Sequence, residues 1–303
     1  MKFKILLFFL IFHAFGYSQE EIYFYKDLES IQTLESVKDK DFVLLEHQVL
    51  DKHSDDSYWF LIPAHKTKTA YIFRIIFDRF NSEKDAEVYQ NSIKLNKLSD
   101  QRYLSYRFNR NYDVYIRVKP KLHSFIPVEL KTVDENILSE KNYFLLNGFY
   151  YGFGFLIIIY NLFYFYFFKD DSFLYYSLFL TSMCFGVFTM DGMLNFYNIT
   201  GGFNDFLMVL NYILMAIFSA KFANSYLFLD NYFPKLKKYT VITICISIVL
   251  GVLYLILNNY FYLLILNILV FSLLLSYWIS AVLLFNKNVY TKILAIAYVI
   301  ILF

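Results

Sequence analysis

A chain of 303 residues that is 58% hydrophobic and 22% aromatic, with only 18% charged, exceeds the apolar share of a soluble domain and reads as part membrane protein. Its 28 basic and 26 acidic residues leave a formal net charge of +2, too small to draw nucleic acid or an acidic substrate to the whole chain. The two cysteines, Cys184 and Cys245, both fall in apolar runs, which excludes a disulfide framework and a cysteine metal cluster; both are expected as small buried apolar residues.

At the N-terminus, Lys2 and Lys4 precede an apolar run from Ile5 to Gly16, and Gly16 and Ser18 stand where a peptidase could cut. A core of about a dozen apolar residues is short for a span, which takes roughly 20. Residues 1–18 therefore read as a secretory signal peptide, and the chain beyond them as exported.

Residues 20–142 carry charges throughout and no apolar run long enough to cross a bilayer. Short segments rich in β-branched and aromatic residues recur at Asp41 to Glu46, Tyr58 to Ile62, Ala70 to Phe77, Tyr103 to Phe108, Tyr112 to Val118 and Ile126 to Leu130. Turn-forming clusters such as 51–57 and 109–111 separate them, a spacing that predicts an antiparallel β-sandwich. From Tyr112 to Val118, alternation puts Tyr112, Val114, Ile116 and Val118 on a buried face and Asp113, Tyr115 and Arg117 on a wet one.

From 143 onward the composition changes. Phe144 to Phe168 is 25 residues without a charge. Further apolar blocks run from Ser172 to Met190, Phe206 to Ala223, Tyr239 to Leu257, Tyr260 to Phe285 and Ile293 to Phe303, so residues 143–303 read as five full spans and the start of a sixth. Lys169-Asp170-Asp171 is expected as a tight aqueous turn, because no lipid-exposed loop can lie in hydrocarbon. Lys169, Lys235, Lys237, Lys238, Lys287 and Lys292 all fall on one predicted side and the opposite connections hold no Lys or Arg. The positive-inside rule then agrees with the signal peptide: a multi-pass protein of a bacterial inner membrane with its N-terminal domain extracytoplasmic.

Several motifs in this order resemble a family. They are Tyr58-Trp59-Phe60, the strand from Tyr112 to Val118 with its Tyr-x-x-Arg-Val ending, Gly148-Phe149-Tyr150-Tyr151-Gly152, Tyr160-Asn161-Leu162-Phe163, Phe173-Leu174-Tyr175-Tyr176, and Asp191 to Tyr197. Together they resemble the bacterial seven-transmembrane receptors with diverse intracellular signalling modules. That resemblance implies an extracytoplasmic jelly-roll-like domain binding small ligands such as carbohydrates, seven spans, and a cytoplasmic kinase, cyclase, phosphatase or DNA-binding module. Phe60 and Leu61 depart from the family pattern, which has an arginine nearby. The last residue, Phe303, falls inside the sixth apolar run, so no enzymatic output is carried over and the chain itself is expected to be no enzyme.

Chemistry in the spans is sparse. They hold no Asp, Glu, Arg or His in their interiors, which speaks against a proton-coupled transporter or an intramembrane protease. Lys221 is expected to snorkel to the interface, and Asn161, Asn211 and Asn267 to bond across neighbouring helices. In the soluble half, His47, His53, His65 and His123 match no ligand spacing, so no metal or cofactor is expected. Trp59, Tyr71 and Tyr115 could stack on a sugar ring; core packing is the simpler reading for Trp59 and Tyr71, whereas Tyr115 beside Arg117 lies on the wet face. The ligand-binding candidates are therefore Trp59, Tyr115 and Arg117. The expected partners are the lipid bilayer, a small extracytoplasmic ligand and a second copy of the chain, with no nucleic acid. The reading is a sensory receptor lacking its output module within these residues; its rival is a non-signalling membrane-anchored binding or assembly protein.

Overall fold

The computed structural model describes residues 21–45, 56–65, 69–77, 84–119, 126–197, 199, 201–257, 259–285, 287, 291–292 and 295. The expected signal peptide, His47, His53, His123 and most of the sixth apolar run lie outside them.

Among the described residues, nine strands form two antiparallel sheets: β1 (Tyr23–Asp27), β2 (Val43–Leu44), β3 (Ser57–Ile62), β4 (Ala70–Ile75), β5 (Ala86–Gln90), β6 (Ile93–Leu95), β7 (Leu104–Asn109), β8 (Val114–Val118) and β9 (Val128–Thr132). One sheet has the order β2-β1-β3-β8-β5-β6, the other β7-β4-β9. Tyr58, Phe60 and Ile62 from β3 and Val114, Ile116 and Val118 from β8 meet Phe73, Ile75 and Tyr106 of the smaller sheet in one buried core. This is the alternation expected of strands with one face inward. The turn residues complete it: Asn91 and Ser92, both at positive φ, make the two-residue hairpin between β5 and β6. Tyr112 departs from the expected pattern. It precedes β8 rather than belonging to it and is 57% exposed.

Among the described residues, five long helices come after the sheets: α1 (Val133–Phe168), α2 (Asp171–Met190), α3 (Gly202–Leu227), α4 (Pro234–Leu257) and α5 (Tyr260–Leu283). All five are long and apolar enough to cross a membrane. Helix α1 starts well upstream of the charge-free stretch, directly at the end of β9. Thr132 accepts from the Glu135 amide and Glu135 reaches back to the Thr132 amide, a capping box. At 36 residues the helix is about 54 Å long, more than a bilayer core of about 30 Å, so residues 133–143 stand outside it as a stalk under the sandwich. Replacing Thr132 with Ala should weaken this helix start by about 1 kcal/mol, read as faster amide hydrogen exchange at residues 133–136.

The turn at Lys169 and Asp170 is as tight as the sequence predicts. Lys169 takes the left-handed conformation at φ 56 and its amide bonds Phe165, while the Asp170 carboxylate caps Ser172. Helix α3 lies centrally, packed against α2, α4 and α5. On α5 the buried residues Leu263, Leu266, Val270, Leu273 and Tyr277 recur at three- and four-residue steps and face α3 and α4. Close approach relies on small residues: a Cβ at Gly186 would stand 2.7 Å from Asn211 of α3.

The intramembrane polar residues behave differently from one another. Asn161 donates to Ile157 of its own helix, 2.8 Å away, rather than across to a neighbour, because its position one turn on brings that carbonyl within reach. Asn211 is buried against Gly186, and Asn267 is half-buried. Lys221 lies over the Tyr175 ring at 5.1 Å. Cys184 is half-buried and Cys245 is exposed, because α4 turns that side outward, away from the helix core.

Candidate functional site

The three residues picked from the sequence lie on the outer face of the larger sheet. Trp59 of β3 stands directly opposite Arg117 of β8, and Tyr115 opposite Leu61. Trp59 is 1% exposed, yet it is not in the intersheet core. It is covered from outside by the Arg117 guanidinium 5.6 Å from its ring and by the stacked Tyr89 ring. Arg117 donates to the Ser30 carbonyl at 2.8 Å. Tyr115 is half-buried and meets Phe42 edge-on. Burial first, then the carboxylates of Asp113 and Asp39, push its phenol above the ordinary range. Tyr71 belongs to the core.

The organiser of this face is Asp27, which carries no local signal in the sequence. Only 1% exposed, it accepts from the amides of Ile31 and Gln32, from Ser57 Oγ at 2.9 Å and from Trp59 Nε1 at 3.3 Å. A carboxylate so buried is tolerable because every bond it makes is to a donor. Asp27→Asn turns one acceptor into a donor facing donors. It should lower the melting stability of the sandwich by about 2 kcal/mol and loosen Trp59, read by its fluorescence.

A second cluster joins the sandwich to the helices. Arg74 of β4 pairs with its cross-strand neighbour Glu129 and with Glu140 of the α1 stalk at 2.6 Å. Arg102, 4% exposed, grips the same Glu140 with Nε and Nη2, both at 2.8 Å. Lys131 pairs with Glu129 and donates to Ser139 of the stalk. Burial pulls the Arg102 guanidinium down, but the hydrogen bond and charge of Glu140 outweigh it and hold its pKa above the ordinary arginine value.

The same Arg102 reaches the far end of α2. Its Nη1 donates to the Asp191 carbonyl at 3.2 Å, and its own carbonyl accepts from Asn195 Nδ2. Tyr151 OH donates to the Asp191 carboxylate at 2.6 Å. The Tyr143 ring stacks under the guanidinium at 3.4 Å. Gly192 allows this contact: at φ +71, a Cβ there would stand 2.4 Å from the Arg102 carbonyl. Arg74, Arg102 and Lys131 thus meet Glu129 and Glu140 in a largely desolvated cluster, to which Asp191 is tied by its carbonyl and, through Tyr151, by its carboxylate. The smaller sheet, the first helix and the α2–α3 connection share a single polar node.

The family description 7TM diverse intracellular signalling matches residues 143–303, more than half of the chain. This chain belongs to that seven-transmembrane family. No curated protein matches it. The seven-transmembrane segment begins at Tyr143, so the node lies where it meets the sandwich: Glu140 just upstream, Asp191, Gly192 and Asn195 inside it. Among the described residues, no group of three or more His, Cys, Asp and Glu could hold a metal ion. The node was legible only in part. Asp191 to Tyr197 stands out as a motif, and Thr132-x-x-Glu135 signals a helix start ahead of Glu140. Arg74 and Arg102 carry no local signal, since their partners lie 38 to 89 residues away.

Proposed function

We propose that this chain is the sensory part of a membrane receptor. Its sandwich meets a small ligand outside the cytoplasm, and the helices carry the resulting rearrangement across a bacterial inner membrane to an output module. The chain itself performs no catalysis in this reading. The observation that carries it is the Arg102 node. A sandwich that merely hung from an anchor would need a linker, whereas this one is clamped to two helices by buried charge, so a change in either part bears on the other. The outer sheet face around Tyr115 and Arg117, a stackable ring beside a fixed cation, is the surface offered to a ligand such as a carbohydrate.

Orientation has its own support. Helix α1 leaves the sandwich and α2 returns to it, so Lys169, Lys221, Lys235, Lys237, Lys238, Lys287 and Lys292 all gather at the opposite end of the bundle. That end is cytoplasmic by the positive-inside rule, and an export signal in residues 1–18 would agree.

A ligand can shift such a receptor only by its difference in affinity for two states. The test is a panel of neutral mono- and oligosaccharides on the full chain in lipid nanodiscs. A binding sugar should raise the melting temperature of the sandwich and change hydrogen exchange at residues 191–197. Binding that leaves 191–197 unchanged would favour a membrane-anchored binding protein, and no binding by any sugar removes the carbohydrate reading.

A further inference from the structure

At the end of the bundle away from the sandwich, the start of α4 and the end of α5 border a groove of about 440 Å³. Tyr232, Phe233 and Leu236 form one wall, Ile279 and Leu283 the other, with Lys235 on the rim. The two hydroxyls in the wall have no donor left for a guest, because Ser276 and Ser280 donate to the Leu273 and Ser276 carbonyls of their own helix. The floor suits hydrocarbon.

The rim is cationic. Lys287 lies over the Tyr232 ring at 5.1 Å, which brings a second ammonium to the same groove. Lys237, next to Leu236 but not itself in the groove lining, is taken up by Asp230 at 3.0 Å. Lys235 and Lys287 have no ion pair among the described residues. An apolar slot under two available cations, between membrane-spanning helices at their lysine-rich end, complements a molecule with a hydrocarbon tail and a negative head.

We infer that this groove is a binding site for an anionic phospholipid, with an acyl chain between α4 and α5 and the phosphate held by Lys235 and Lys287. The inference rests on the spans and is independent of the receptor reading. Zwitterionic lipids can fill the same slot, but each cation in reach of a net negative headgroup favours the anionic lipid by about fivefold.

The experiment is native mass spectrometry of the full chain from detergent, loaded with an equimolar mixture of phosphatidylglycerol and phosphatidylcholine. Phosphatidylglycerol should be retained preferentially. Lys235→Gln and Lys287→Gln should each reduce that preference about fivefold, whereas Lys237→Gln, whose partner is Asp230, should leave it unchanged. Ile279→Trp, at a residue 46% exposed on the groove wall, should reduce retention of both lipids while helical circular dichroism is preserved. Equal retention of the two lipids, a preference that survives both glutamine variants, or a lipid-independent dimer that Ile279→Trp dissociates each overturns the assignment.

Discussion

Replacing Arg102 with Ala is expected to lower the stability of the sandwich–helix junction by about 4 kcal/mol. Burial decides the size of the effect. An exposed ion pair contributes between 0 and about 1 kcal/mol because water and salt screen it and two long side chains lose freedom. Arg102 is 4% exposed and Glu140 is largely covered, so removing the arginine strands a carboxylate that was solvated by two nitrogens of its partner. Arg74 remains on Glu140 and limits the loss. The Tyr143 stack and the bond to the Asp191 carbonyl go with the guanidinium. Arg102→Lys keeps the charge but not the two-pronged geometry, and should recover less than half of the difference. In the full chain in nanodiscs, hydrogen exchange should rise at 133–141 and 189–197 while the sandwich core from Tyr58 to Ile62 stays protected. A loss under about 1 kcal/mol would mean that the node is an ordinary solvated cluster and would remove the main support for coupling between the two parts.

What the sequence made legible came from periodicity. The five spans, the turn at Lys169 and the strands β3, β4, β7 and β8 all arise from runs and alternations that need no partner to be recognised. Three strands escaped. β1 begins soon after the apolar run of residues 5–16, and β5 and β6, with Glu87, Gln90 and Lys94, carry too few apolar residues to stand out, although the hairpin residues Asn91-Ser92 were a signal. Trp59 shows a different limit. Its size suggests the core, but the structure buries it on the outer face of the larger sheet instead, under Arg117 and Tyr89 and with its indole N–H on Asp27. Nothing local announces that Asp27 will accept from two amides, a hydroxyl and an indole. The ion pairs of the junction node were illegible for the same reason, since a buried charge is identified by its partner, and these partners come from a sheet, a sandwich loop and a helix.

Gly192→Val should disturb the same junction from the helix side, by about 3 kcal/mol. Two costs combine. At φ +71 a β-branched residue is held in a backbone region that it rarely adopts, and its Cβ would stand 2.4 Å from the Arg102 carbonyl. The obstacle is backbone, so no side-chain rotation relieves it. The connection must lift, which takes Asn195 Nδ2 off that carbonyl and draws the Asp191 carbonyl away from the guanidinium. Gly192→Ala separates the contributions, because it meets the same carbonyl without β-branching and should keep most but not all of the effect. Both Gly192→Val and Arg102→Ala release one contact, so the double variant should fall short of the sum of the two by about 1 kcal/mol or more, as neighbouring sites do. Strict additivity in thermal melting would place the two residues in separate devices. Coupling of this size would identify the α2–α3 connection and the sandwich loop at Arg102 as one cooperative unit, the element that a signal from the sheets would have to move.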